Sequence, residues 1–146
     1  MKHFIVCTAA IICLGSVSFA QKKEYESKAD VPPAAKSAFS KAFAGSSRVK
    51  WEKEGKNYEV NFLQQGHQMS AVYSPAGELQ ETEIAIKITE LPAPVAEYIN
   101  KQYKDAKIEE AAKITKANGE VNYEAEVNKK DVLFDAAGKF IKEAKD

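Results

Sequence analysis

Cysteine is almost missing from this 146-residue chain: Cys7 and Cys13 are the only two, and both fall in the first twenty residues. From residue 21 onward there is none, which excludes a disulfide, a thiolate zinc site and a cysteine nucleophile. Arginine is reduced to Arg48 alone, and 21 basic residues balance 21 acidic ones. Nucleic-acid binding relies on a clustered excess of cations, so that class is excluded. The balance likewise gives no basis for an anionic-membrane partner. Histidine is nearly absent as well: past residue 21 only His67 remains, beside Gln64-Gln65-Gly66. With no companion Asp or Cys nearby and no Gly-x-Ser-x-Gly turn, it reads as a solvated turn residue and not as a catalytic base. There is no Asp-x-Asp-x-Asp-Gly calcium loop.

Long apolar runs are also lacking, with one short exception. Lys2 is followed by an apolar stretch from Phe4 to Leu14, and Ser18-Phe19-Ala20 places small residues before Gln21. Such an order predicts a secretory signal peptide over residues 1–20, with cleavage expected after Ala20. The stretch is shorter than the ~20 apolar residues of a membrane-spanning helix. No small residue precedes either cysteine, which argues against lipid attachment. Without Lys2 the chain counts 20 basic and 21 acidic residues, a net charge of −1. A periplasmic or secreted location is expected, with no transmembrane segment in the mature chain. Residues 21–30 are polar and aperiodic and read as a flexible leader.

What is present is a repeat. Val31-Pro32-Pro33-Ala34-Ala35, continuing to Phe39 and Phe43, matches Leu91-Pro92-Ala93-Pro94-Val95, continuing to Ile99 and Tyr103, at a spacing of 60 residues. Tyr58-Glu59-Val60-Asn61-Phe62 then matches Tyr123-Glu124-Ala125-Glu126-Val127, and the stretch Tyr73–Leu79 matches Phe134–Phe140. Offsets that change only between motifs place the insertions in turns. Each copy opens with proline at a helix start and apolar residues at helical spacing. Each then changes to period-two alternation, the pattern of antiparallel strands with one buried face. Ser74-Pro75-Ala76-Gly77 and Asp135-Ala136-Ala137-Gly138 fit type I turns ending in a left-handed glycine. Asn118-Gly119 reads as a two-residue hairpin turn with both residues at positive φ. Ile84-Ala85-Ile86-Lys87-Ile88 alternates and is expected to end the first sheet and bridge the copies. The fold class is therefore α+β: a helix followed by about four antiparallel strands, twice (residues 31–88 and 89–146), with the helices on one face. Units this small are marginal alone, so a shared core or a continuous sheet is expected.

The run Val-Pro-x-Ala-x-x-x-x-Phe-x-x-x-Phe at 31–43, then Val49-Lys50-Trp51-Glu52, Tyr58–Phe62 and the Gly77 and Gly138 turns, resembles the PepSY-like family of secreted bacterial proteins. That family is related in fold to the β-lactamase inhibitory protein. The resemblance covers nearly all of 31–143 in two copies. The second copy departs from it, with Glu109-Glu110 near the place of Trp51. It implies a tandem helix-on-sheet fold, an envelope or extracellular location, and a binding or inhibitory module that is not an enzyme. None of the inhibitor's own contact residues transfers.

The pairs Glu52/Glu54, Glu81/Glu83 and Glu124/Glu126 sit at i, i+2 on strands and read mainly as a solvated face interleaved with lysines. Trp51, Tyr58, Tyr73 and Tyr123 alternate with the core positions. Lys50, Glu52, Glu59, Asn61, Leu63, Glu124 and Glu126 point by alternation to the face away from the helices, the candidate surface for a protein partner. No catalytic residue, metal ligand or cofactor is expected. Two functions remain: an exported protein-binding module, such as an inhibitor of or accessory to an envelope or secreted enzyme, or an envelope protein that binds a small ligand or a cation.

Overall fold

The computed structural model describes residues 30–144; the signal-peptide reading and most of the leader lie outside them. Helix α1 (Pro33–Ala42) starts at the Pro32-Pro33 pair, where the missing proline N–H costs no hydrogen bond. It buries Ala35 and Phe39, one turn apart, against strands β1 (Ser47–Glu54), β2 (Asn57–Gln64) and β3 (His67–Tyr73). Strand β4 (Leu79–Ala85) follows, then a 3₁₀ turn at Ile88–Glu90. Helix α2 (Ala93–Gln102) again follows proline and buries Val95 and Ile99. Strands β5 (Ile108–Lys116), β6 (Val121–Val127), β7 (Lys130–Asp135) and β8 (Phe140–Glu143) complete the chain.

All eight strands form one antiparallel sheet in sequence order, β1 to β8. The join is the β4–β5 pairing, where Glu81 faces Lys116 and Ala85 faces Ala112. Of the expected bridging strand, only the part up to Ala85 is extended in the sheet; Ile86 and Lys87 leave it to enter the 3₁₀ turn. Residues directly opposite in an antiparallel sheet share a face. The row Met69–Ile84–Lys113–Tyr123 runs from the cluster under α1 to the cluster under α2, so both helices lie on the same side.

Two cores result. Under α1, Phe39 meets the edges of Trp51 (5.6 Å between centroids) and Phe62 (5.0 Å), with Val60, Ala71 and Tyr73 around them. Each large side chain removed from water here contributes about 1.5–3 kcal/mol. Under α2 the cluster is mostly aliphatic, Val95, Ile99, Ala125, Val127 and Val132, with Phe134 and the ring of Tyr98 stacked on Phe140. The partner of Ala125 on β5 is Ala111, placed as Trp51 is opposite Val60. The small, buried Ala111 thus stands in the place of Trp51, directly after the Glu109-Glu110 pair expected near it. Bulges between Ser47 and Lys50 and between Ile108 and Glu110 shift the two registers.

The turns divide differently from expectation at one point. Gly77, Gly119 and Gly138 all have φ above +80° and all donate to the carbonyl three residues earlier. Asn118 is not at positive φ, so Asn118-Gly119 closes the same type I turn with a left-handed glycine as the other two. Its side-chain oxygen accepts the N–H of Glu120, which holds that form. Two-residue turns with both residues at positive φ occur instead at Gln65-Gly66 and Asn128-Lys129.

Candidate functional site

The face away from the helices is set by the same register. Lys50, Asn61, Ser70, Glu83, Ile114 and Asn122 form one row across six strands. A second row runs Glu52–Glu59–Val72–Glu81–Lys116. Ala85, Ala112, Glu124, Leu133 and Lys142 make a third, and Glu110, Glu126 and Asp131 a fourth. Leu63 lies opposite Gln68 in line with the third row. Alternation therefore placed all seven candidate residues, Lys50, Glu52, Glu59, Asn61, Leu63, Glu124 and Glu126, on this face.

It did not reveal the charge. Eight carboxylates in these rows stand against three lysines. Lys50 pairs with Glu52 at 2.6 Å, and Lys116 is drawn to Glu120 in the β5–β6 turn at 2.6 Å. A chain near neutrality is thus strongly polarised, with one sheet face acidic. The expected interleaving with lysines is not what this face carries. Like charges also lie directly opposite one another, Glu52 on Glu59 and Glu126 between Glu110 and Asp131. Like charges directly opposite repel, so other contacts have to offset them.

Burial sharpens that cost. Glu83 is 3% exposed and Glu124 5%, and Ser70 and Asn122 of the same face are buried too. A carboxylate removed from water is held only against strong compensating interactions. Glu110 has its carboxyl pushed above the ordinary range, first by burial and then by the neighbouring charges of Glu109 and Asp131.

Where the 3₁₀ turn passes over β5, the face deepens into a cleft of about 390 Å³. Its walls are apolar, Ala85, Ile86, Ile88 and Ala112, and its charged groups are Lys87, Glu109, Glu110, Glu124 and Glu126. The cleft lies where the segment joining the two copies meets the second copy, the place a small-ligand reading requires one, and Ile86 and Ile88 of its wall belong to the segment expected to be strand. Among the described residues no group of three or more His, Cys, Asp or Glu is arranged to hold a metal ion. His67 opens β3 in an exposed position, and Trp51, Tyr73 and Val60 are core. No helix of the described residues is long and apolar enough to cross a membrane.

This arrangement of two helices on one side of an antiparallel sheet recurs in known proteins. The model of the family described as “putative beta-lactamase-inhibitor-like, PepSY-like” matches residues 17–81 and again 63–142, and the chain belongs to that family. No curated protein matches the sequence. Among solved structures, one described as “putative periplasmic proteins” from Bacteroides eggerthii superposes with a TM-score of 0.68 at 16% identity, covering 78% of this chain and 88% of that one. A DUF2874-family protein from Bacteroides uniformis gives 0.67 at 16% identity, with the same 78% and 88% coverage. A BLIP-like protein from Bacteroides fragilis gives 0.60 at 18% identity, covering 78% and 85%. At these identities the likeness is one of fold.

Proposed function

We propose that the chain is an exported, non-catalytic protein-binding module that acts through its open acidic sheet face, as an inhibitor of or accessory to an envelope or secreted enzyme. The observation that carries this reading is the concentration of carboxylates on the sheet face that neither helix covers. A dense set of carboxylates on one open sheet face is complementary to a basic surface, the arrangement that steers and selects a charged partner. Lys50, Glu52, Glu59, Asn61, Leu63, Glu124 and Glu126 belong to the proposed contact surface. The domain reading that goes with it is a signal peptide removed after Ala20, then two copies of one module, 31–88 and 89–146, each contributing half of the face. The two family-model matches and the periplasmic description of a structural neighbour support duplication and export.

The test is site-specific photo-crosslinking in the native envelope. A crosslinker at Asn61 or Leu63 is expected to trap a protein, whereas one at Lys41 or Glu97 on the helices is not. Equal adducts from both faces would reject the assignment.

The cleft favours one second reading, a small organic cation held by Glu110, Glu124 and Glu126 with its hydrocarbon part against Ile86 and Ile88. Calorimetry with calcium and a panel of amines separates this from the first: heat that disappears in Glu126→Gln supports it, and no heat rejects it.

A further inference from the structure

We infer that the cleft between the 3₁₀ turn and β5 is the pocket for one lysine side chain of the partner protein, its methylene stem against Ile86 and Ile88 and its ammonium among Glu110, Glu124 and Glu126. The inference rests on the open-face reading of the proposed function and names the group that this face selects.

The wall of the cleft is fixed by backbone bonds. Ile86 leaves β4 but donates its N–H to the carbonyl of Ala111 on β5 at 2.9 Å. The Glu90 carboxylate then accepts the N–H of Lys87 at 2.7 Å, and the N–H of Glu90 donates to the Lys87 carbonyl at 2.8 Å, which closes the turn. Ile86 and Ile88 are thereby held along one side of the 390 Å³ space, beside Ala85 and Ala112 of the sheet. Ile88 is 44% exposed, so apolar surface at the rim is left to be covered. Small-ligand pockets run from about 300 to 1,000 Å³, and the lower end of that range suits a single long side chain.

The other side of the space is acidic. Glu110 stands opposite Glu126 across β5 and β6, and Glu124 lies in the next row, opposite Ala112. With Glu109 they bring four carboxylates to the lining against one lysine, Lys87. Burial and then the charges of Glu109 and Asp131 push the Glu110 carboxyl upward, and an ammonium group beside it acts in the opposite direction. An apolar wall facing a carboxylate wall matches a side chain that is hydrocarbon along its length and charged at its tip. Lysine fits this better than arginine. Its ammonium is a compact charge with three donors, able to serve carboxylates from separate strands, whereas the planar guanidinium favours one bidentate carboxylate. Ala85, Ala112 and Glu124 of the lining belong to the third row of the sheet face, and Glu110 and Glu126 to the fourth, so the lysine arrives from a partner lying on that face.

The experiment follows the isoleucine methyl signals of the exported protein during titration with butylamine and with capped peptides Ala-Ala-Lys-Ala-Ala, the same peptide with norleucine for lysine, and the same with 2,4-diaminobutyrate. The lysine peptide is expected to shift Ile86 and Ile88 saturably and to leave Ile99 in the α2 core unmoved. Norleucine keeps the stem without the charge, and diaminobutyrate keeps the charge on a stem two methylenes shorter. Each should bind at least about tenfold more weakly. Glu110→Gln with Glu126→Gln should weaken the lysine peptide at least about tenfold, with the Ile99 signal verifying the fold, while Glu97→Gln on α2 should leave it within about twofold. No saturable shift with the lysine peptide, equal binding of either control peptide, or binding that persists in the double variant would overturn the inference. So would butylamine binding that the lysine peptide does not share, which assigns the cleft to a free amine. The crosslinker at Asn61 reports on the face as a whole and the titration on the cleft alone, so failure of the pocket and failure of the contact surface are told apart.

Discussion

Gly77 and Ala34 approach so closely that a Cβ on the glycine would stand 2.7 Å from the Ala34 carbonyl oxygen. The turn closing β3 and β4 is thereby the seat on which α1 starts, and Gly138 has the same relation to the start of α2, where Pro92 and Val95 crowd it at 3.0 and 3.3 Å. Both glycines also have φ above +80°. Gly77→Ala combines a left-handed backbone cost of about 1–2 kcal/mol with a backbone clash that no rotamer relieves. Gly119→Ala has the same backbone cost and nothing within 4 Å. The thermal midpoint should fall further for Gly77→Ala than for Gly119→Ala by at least about 5 °C, and equal losses would refute the seat.

Tyr73 is 1% exposed, and its hydroxyl has no hydrogen-bond partner among the described residues. Burial pushes its ionisation upward. An unsatisfied buried hydroxyl costs about 1–3 kcal/mol, while the ring fills the space beside Trp51. Tyr73→Phe should therefore raise stability in urea unfolding by about 1 kcal/mol, followed through the fluorescence of Trp51, the chain's single tryptophan. A loss of stability would show that the hydroxyl is satisfied.

The carboxyl of Glu110 is held above its ordinary value of 4.5 by burial and by the charges of Glu109 and Asp131. The folded state then binds this proton more tightly than the unfolded chain. Its contribution is present below the unfolded value and is lost as pH rises through the folded one. Glu110→Gln removes that loss. Comparing unfolding midpoints at pH 4 and pH 7, the variant should gain on the native protein at the higher pH; an unchanged difference would count against crowding in the fourth row.

Tyr103 donates its hydroxyl hydrogen bond to Glu143 on the last strand, tying the end of α2 to the sheet edge. Burial first, then that bond and the charge of Glu143, push the phenol up to about 12. Because the folded value is raised, the stabilisation is complete below 10 and lost between 10 and 12. Ultraviolet titration should show Tyr103 among the tyrosines still protonated at pH 11 in the native protein, and one more tyrosine ionised at that pH in Glu143→Gln.

Much of this was legible from residue order because duplication wrote each signal twice. Pro32 and Pro92 mark helix starts, Tyr58–Phe62 and Tyr123–Val127 mark paired strands, and Ser74–Gly77 and Asp135–Gly138 have the turn chemistry the structure confirms. Misreadings fall where tertiary register decides. Asn118-Gly119 is equally good chemistry for two turn types, and only the strand ends select one. Bulges in β1 and β5, invisible in an alternating pattern, decide that Ala111, next to Glu109-Glu110, takes the place of Trp51. Alternation says which way Glu81 or Glu126 points, but not that eight carboxylates gather on one face. That gathering depends on β4 pairing with β5, a contact between the two halves that no local motif encodes.

The central claim is that the acidic sheet face, and not the helix side, is the contact surface. The direct measurement is retention of the crosslinked partner by paired charge variants, with folding of each verified by Trp51 emission. Glu81→Lys with Glu126→Lys changes the open face and should reduce affinity at least about tenfold, the equivalent of 1.4 kcal/mol. Lys36→Glu with Lys101→Glu changes the helix side by the same number of charges and should leave affinity within about twofold, within the scatter expected for distant surface charges. Loss of binding in the second pair with retention in the first would contradict the account.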